Sequence, residues 1–506
     1  MRRTLPMIVL LGLSLPFAHK PVHVDDANFL AMARHAAKDP WRPHDFPINW
    51  QGTTESAFDV LSNPPGIAWW LAPLSDASIT AMHLWMLPWL ILAAWGALQL
   101  GSIVAKRPNS AALLLCGAPI AILATQALTP DLPLLACVLA GMAGLMQENT
   151  TKTLSSKWPW AVLVGLGAVF RYSGVAMIPL VGLWAWMHGD RRSAFRLAAA
   201  ASLPLALLIV HDLLAYDAIH LLAMTGFQSV SNTAGDLGHK TVASIAALGG
   251  AAALPILCWH HSKRAIAGAI VGAIMGAIAA HLTHQLSAPT LATILFSAAG
   301  GATLSAVFKP KDRMDQFLLV WLGTGLLFLI MLRFSASRYW IPFFAPAILI
   351  PLRYASRRQV LMASILTPLL GFALAMDDLD LAHTQQLAAQ KAMLHPAGRV
   401  AGHWGFQHHL EAAGWVPVED DELLGKQELV AISRNAWPQS TSNACWEWME
   451  VTPFPDPRPG LRVLTYAGGA NIHGNMLSGW PPARVFAPWT IAQDAMEHLT
   501  VRRTCP

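Results

Sequence analysis

ITAMHLWMLPWLILAAWGALQLGS, residues 79–102, is a run of 24 residues without one Asp, Glu, Lys or Arg. Wound as a helix it would be about 36 Å long, at about 1.5 Å per residue, enough to cross the roughly 30 Å hydrocarbon core of a bilayer. Similar apolar runs lie on both sides of it, at residues 5–18, 111–128, 132–146, 158–170, 175–187, 197–215, 242–259, 265–282, 291–308, 317–332, 340–352 and 360–376. Several fall short of the roughly 20 residues a span wants, so their ends must extend into flanking residues. Residues 158–187 read either as a hairpin or as one bent span. The composition agrees: 54% of the 506 residues are hydrophobic and 12% charged, about half the charge of an ordinary soluble domain. The expected fold is an all-α polytopic membrane domain of about 13 transmembrane helices over residues 1–376, followed by a small α/β extracytoplasmic domain over residues 377–506.

A formal charge of +5 would suggest a nucleic-acid partner if the basic residues formed one patch, but they sit in short clusters between apolar runs. With the N-terminus placed in the cytoplasm, the inner segments hold 17 Lys and Arg, and the outer segments before residue 377 hold eight: Lys20, Arg34, Lys38, Arg42, Arg171, Lys240, Arg333 and Arg338. That asymmetry predicts an N-terminus inside and, for an odd number of spans, a C-terminus outside. Residues 1–18 also read as a cleavable signal peptide, but Leu15-Pro16-Phe17-Ala18 is a poor cleavage site, which favours retention as an anchor. Three long stretches then face the cell exterior or periplasm: residues 19–78, 216–241 and 377–506.

The first outer loop, residues 19–78, carries the most chemistry. Asp25-Asp26 stands at the top of the first span, and Phe29, Leu30, Ala33, Ala36 and Ala37 share one helical face, a pattern for a helix lying in the interface plane. The ordinary reading of the two aspartates is capping at that helix start. Asn63-Pro64-Pro65-Gly66 then leads into an aromatic stretch suited to the membrane surface. Further on, Thr129-Pro130-Asp131, Arg171-Tyr172-Ser173-Gly174 and Ser337-Arg338-Tyr339-Trp340 place ionisable groups at span ends. Charge at membrane depth faces a cavity or a partner by default, and the topology brings Asp25, Asp26, Asp131, Arg171 and Arg338 to one face. Carboxylates and guanidiniums gathered there suit a reaction on a phosphate-linked substrate.

Taken in order, the Asp25-Asp26 pair, the interfacial helix, Asn63-Pro64-Pro65, the Thr-Pro-Asp turn, Arg171-Tyr172-Ser173-Gly174 and Arg338-Tyr339 resemble the C-type integral-membrane glycosyltransferases. Within them the chain is similar to the family 39 group of protein O-mannosyltransferases and the lipid A aminoarabinose transferase. The resemblance covers most of residues 1–380 and reaches Gly402-His403-Trp404-Gly405-Phe406-Gln407 in the tail. It departs at the usual Asp-Glu pair, here Asp25-Asp26 with a shorter second carboxylate. It implies sugar transfer, on the outer face of a bacterial inner membrane, from a polyprenyl-phosphate-linked donor to a hydroxyl of a lipid, glycan or protein acceptor. An inverting displacement needs one base, and Asp25 suits that role, with Asp26 beside it. Permanently charged, fork-shaped Arg171 and Arg338, with Tyr172 and Tyr339, suit the departing lipid phosphate. Asp26 and Asp131 suit orienting the base or holding a divalent cation, though the sequence does not require a metal. The competing class is a transporter or flippase of a lipid-linked sugar, but no internal repeat is found and the polar residues gather at one face instead of the midplane. A non-catalytic scaffold is the third class, one that would lose nothing with the aspartates.

The tail changes character. Residues 399–402 and 428–433 read as strands, and residues 406–413 as a short helix closed by Gly414. His403, His408 and His409 invite a metal reading, but the last two are adjacent on a helix and point apart. Cys116, Cys137 and Cys258 fall in apolar runs, whereas Cys445 and Cys505 fall in the outer tail, where oxidising conditions permit a disulfide between them.

Overall fold

Ile266, Ile270, Ile274 and Ile278 stand more than half exposed along one face of the helix Lys263–Leu282, while Gly268, Gly272 and Gly276 are buried on another. The two faces explain each other if the solvent is lipid. An isoleucine stripe costs nothing against acyl chains, and glycines let helices approach closely. A Cβ at Gly272 would lie 2.1 Å from the carbonyl oxygen of Ser297, which is why Ala288–Val307 can pack directly against this face.

In this computed structural model the described residues are 4–50, 52–147, 154–228, 234–252, 263–282, 288–332, 336–441, 445–458, 460–465, 469–474 and 487–506. Lys152, Cys258 and Arg333 fall outside them. Among the described residues five helices are long and apolar enough to cross a membrane, six if one bent pair is a single span. Four further apolar helices are shorter: Leu5–Phe17, Asp131–Met146, Trp158–Phe170 and Leu291–Val307. The chain is a multi-pass membrane protein, but helix length supports fewer full crossings than the thirteen apolar runs, for two local reasons. Asp131–Met146 is only 16 residues long and every one of them is buried, so it fills the bundle centre without meeting lipid. The run at 111–128 is broken into Pro108–Cys116 and Pro119–Thr125, bent by 71°. Pro119 has no N–H to give, and it holds the preceding Ala118 extended, at ψ 146°.

The last long helix, Arg357–Ala392, begins with a capping box between Ser356 and Gln359. It does not stop at residue 376, where the membrane domain was expected to end. It continues into the tail and buries Asp377, Asp378, Thr384 and Gln385 against it. The tail holds a five-stranded mixed sheet in the order Val416–Pro417, Arg399–Ala401, Leu429–Ser433, Glu497–Thr504, Trp446–Phe454. The first three strands are parallel and the last two join antiparallel. The short helix is Trp404–Glu411, slightly earlier than expected, and Gly414 follows it at φ 85°. Cys445 and Cys505 form the expected disulfide, with Cα atoms 5.5 Å apart.

Glu497 is fully buried in this sheet, where its carboxylate accepts from Ser433 Oγ at 2.7 Å and from the backbone N–H of Asn435 at 3.1 Å. Burial outweighs these bonds and pushes its pKa up to about 7. Between the unfolded value near 4.5 and about 7 the folded state therefore holds the extra proton, so stability falls as pH rises through that window. Glu497→Gln is expected to reduce this slope by about one proton. Thermal unfolding measured from pH 4.5 to pH 8 checks it; an unchanged slope in the variant would contradict it.

Candidate functional site

The chain turns sharply where the first helix gives way to the helix Asp26–Lys38. Val24 takes φ 45°, a left-handed conformation that is rare for a β-branched residue and costs about 1–3 kcal/mol. The turn is closed by Asp26 N–H donating to the His23 carbonyl at 3.0 Å. Its effect is to send the two neighbouring aspartates apart. Asp25 occupies the N-cap position but its side chain makes no capping bond; it reaches across to form an ion pair with Arg338. Asp26 accepts from Leu128 N–H at 2.8 Å and so ties the helix start to the turn before Asp131. Burial pushes the Asp26 carboxyl up to about 7, against the opposing charge of Lys20.

A second ion pair lies alongside. Arg171 Nη1 donates to Asp131 Oδ1 at 2.5 Å, and its guanidinium carbon sits 4.6 Å from the ring centre of Tyr339. Arg171 is extended at φ −153°, directly after the helix Trp158–Phe170, and Gly174 explains why the motif ends in glycine. A Cβ there would lie 2.6 Å from the backbone nitrogen of Ala168, so only glycine lets the chain fold back on its own helix. Arg338 lies in the tight helical turn Ser337–Trp340, anchored by Trp340 Nε1 donating to the Ser244 carbonyl at 2.9 Å.

Asp131 and Arg338 line one cavity, together with Thr129, His473 and an apolar wall of Ile120, Leu123, Ala124, Ala127 and Ile472. The second limb of the broken helix, Pro119–Thr125, supplies much of that wall. Among the described residues Arg338 Nε has no hydrogen-bond partner although it is buried. A guanidinium with a spare donor, opposite an apolar wall, suits an anion attached to a hydrocarbon chain.

Of the residues singled out from sequence, Asp25, Asp131, Arg171, Arg338 and Tyr339 are thus joined by direct contacts or a shared cavity. Two are engaged elsewhere. Asp26 serves the Leu128 backbone, and Tyr172 shares a 2.7 Å hydrogen bond with His220 Nδ1 in a cluster with Phe58 and Tyr216. Among the described residues neither Asp26 nor Asp131 belongs to a group of three or more side chains with metal-ligand geometry. Among the described residues the one grouping with metal-ligand geometry is His23, Asp378 and His473, whose ligand atoms all lie within 4.8 Å of one another. Burial pushes the His23 imidazole down to about 4, which keeps it neutral. Lys20 already pairs with the other oxygen of Asp378, so the grouping also stands without an ion as a buried hydrogen-bonded hub. Its members were not legible as site residues. His473 lies in the tail and Asp378 just beyond the last apolar run, and only the uninterrupted helix through residue 376 brings them to His23. His403 Nδ1 donates to the Trp437 carbonyl, and the rings of the adjacent His408 and His409 lie with their centres 5.6 Å apart.

No family model matches the chain, and no curated protein matches it. The solved structures it is similar to include ArnT from Cupriavidus metallidurans bound to undecaprenyl phosphate, at 14% identity and a TM-score of 0.41, with 85% of this chain and 92% of that one covered. They also include ArnT from the same organism in the apo state, at 13% identity with the same TM-score and coverage.

Proposed function

We propose that this protein is a glycosyltransferase of the bacterial inner membrane that moves a sugar from a polyprenyl-phosphate donor to an acceptor hydroxyl on the outer face. The observation that carries the reading is the cavity in which Arg338, paired to Asp25 on one side and with a free Nε donor, faces an apolar wall and Asp131. Without ligand the charges balance, two aspartates against two arginines. An incoming phosphate competes with Asp25 for Arg338, because guanidinium forks bind phosphate oxygens as readily as carboxylates. Asp25, displaced from its partner, is then free to act as base. The acceptor oxygen forms its bond to the anomeric carbon as its proton passes to Asp25, the bond from that carbon to the phosphate oxygen breaks, and the lipid phosphate leaves against Arg338 and Arg171. No separate general acid is needed, since the leaving group departs as a stabilised anion.

Transfer of label from a polyprenyl-phosphate sugar by the protein in proteoliposomes tests the reading directly. Movement of the intact labelled donor between leaflets, without transfer, would replace it by a flippase. The orientation has its own test, for the chemistry needs residues 19–78 and 377–506 outside. A reporter active only in the cytoplasm should work when fused after Arg107 and be silent after Pro506, and the reverse pattern would remove the site from the outer face.

A further inference from the structure

A second cleft, of about 300 Å³, lies between the interfacial helix Asp26–Lys38 and the tail helix Trp404–Glu411, a size at the lower end for small-molecule sites. Building on the function proposed above, we propose that this cleft is the acceptor site and that it takes a saccharide, a hydroxyl-rich sugar unit held between Trp50 and Trp404.

Its position is the first argument. Ala27 and Asn28 form its near end, and Asn28 lies three residues beyond Asp25 on the same helix, a rise of about 4.5 Å. The start of this helix therefore separates two clefts: Asp25 reaches one through Arg338, and the next turn lines the other. The acceptor hydroxyl is thereby placed at the first turn of this helix, next in sequence to the carboxylate that takes its proton.

The lining is the second argument. Two indoles give flat apolar faces for the C–H side of a sugar ring, and amides give paired donors and acceptors for its hydroxyls. The amides are already oriented. Gln407 Nε2 donates to the Asn49 carbonyl at 3.1 Å and to Glu411 Oε1 at 2.9 Å, and Asn49 Nδ2 donates to the Val418 carbonyl at 3.2 Å. Among the described residues, Asn28 Oδ1 and Gln407 Oε1 are left without a partner. Arg34 and Glu411 offset each other in charge, and burial with the neighbouring His409 and Arg34 pushes His408 down to about 4. A neutral, amide-rich, aromatic cleft suits a sugar better than an anionic headgroup, which would call for unopposed cations.

The third argument is the backbone of the motif itself. Trp404 adopts φ 63°, outside the usual range for any residue but glycine. It is held there by His403 N–H donating to the Ala436 carbonyl at 2.6 Å and by the approach of Gly405 to Val22, where a Cβ would lie 2.2 Å from the carbonyl oxygen. Strain maintained at the wall of a cleft is the usual mark of a site that needs one side chain in one place.

The full-length protein in nanodiscs, applied to an array of defined oligosaccharides and then titrated with the best-retained one, tests the proposal. Trp404→Ala and Trp50→Ala are each expected to weaken that binding by about tenfold or more, with binding of a non-transferable lipid-phosphate analogue unchanged. Should Trp404→Ala fail to fold, Trp50→Ala carries the test. The same oligosaccharide with and without a lipid anchor should bind alike. Failure of the wild type to retain any saccharide at millimolar concentration, undiminished binding in the variants, or binding only of the lipid-anchored form would each overturn the proposal. Loss of lipid-phosphate binding with saccharide binding intact would instead remove the donor reading and leave the cleft standing.

Discussion

Asp25→Asn is expected to lower sugar transfer by about 100-fold or more, the usual contribution of a general base, while lipid-phosphate binding stays the same or tightens. The split follows from the pair with Arg338. The amide cannot accept the acceptor proton, so turnover falls. It also competes less for the guanidinium, so the phosphate meets a freer Arg338. A purely structural ion pair would behave differently. Removing one partner of a buried pair costs about 3–5 kcal/mol because the other charge is stranded, while removing both is often nearly neutral. The double variant Asp25→Asn with Arg338→Met separates the two cases. If it regains folded yield and transfer together, the pair is a staple and Asp25 is not the base. If it regains yield alone, the carboxylate is chemically required. Asp26→Asn supplies the contrast, since its carboxyl serves the Leu128 backbone: it should loosen the turn before Asp131 and lower stability more than it lowers turnover per folded molecule.

The membrane class and the gathering of Asp25, Asp131, Arg171 and Arg338 were legible because they depend on local signals, apolar run length and charged residues at the ends of apolar runs. Asp25 and Arg338 could be brought to one face without knowing any helix contact, since each sits next to a span end. What escaped the sequence depends on contacts between remote segments or on a break inside an apolar run. Residues 111–128 are uniformly apolar, so hydropathy reads one span; Gly117 and Pro119 were the available signal that the helix divides there, and it is the second limb that walls the cavity. Capping was the ordinary alternative for Asp25 on pattern alone, yet after the left-handed Val24 its side chain makes no cap and pairs with Arg338 instead, and no propensity predicts that. Asp378 reads as the first polar residues after a span, but it gathers Lys20, His23 and His473, the last two from opposite ends of the chain. The Gly402–Gln407 motif was visible as a resemblance, while its place in a cleft wall depends on the helix Asp26–Lys38 packed opposite it.

Arg338→Ala is expected to weaken binding of a non-transferable polyprenyl-phosphate analogue by about 10- to 150-fold, from the roughly 1.5–3 kcal/mol carried by a hydrogen bond to a charged group. Arg338→Lys should keep part of it, since Lys supplies charge at the same depth but neither the planar fork nor the spare Nε donor. Arg171 should follow the same order with a smaller loss, because Asp131 at 2.5 Å and the ring of Tyr339 already occupy it. The Lys variants are informative for a physical reason. An arginine that merely snorkels along an apolar wall is replaced well by lysine, and neither change would then alter donor affinity. An arginine that only neutralises Asp25 is also replaced by lysine, and its loss would appear as instability with affinity per folded molecule intact. Only a phosphate contact gives the graded order Arg, Lys, Ala in affinity with folded yield held constant. Equal affinity across the three at position 338 would place the lipid phosphate elsewhere, and Asp25 would then lack the competitor that frees it to take the acceptor proton.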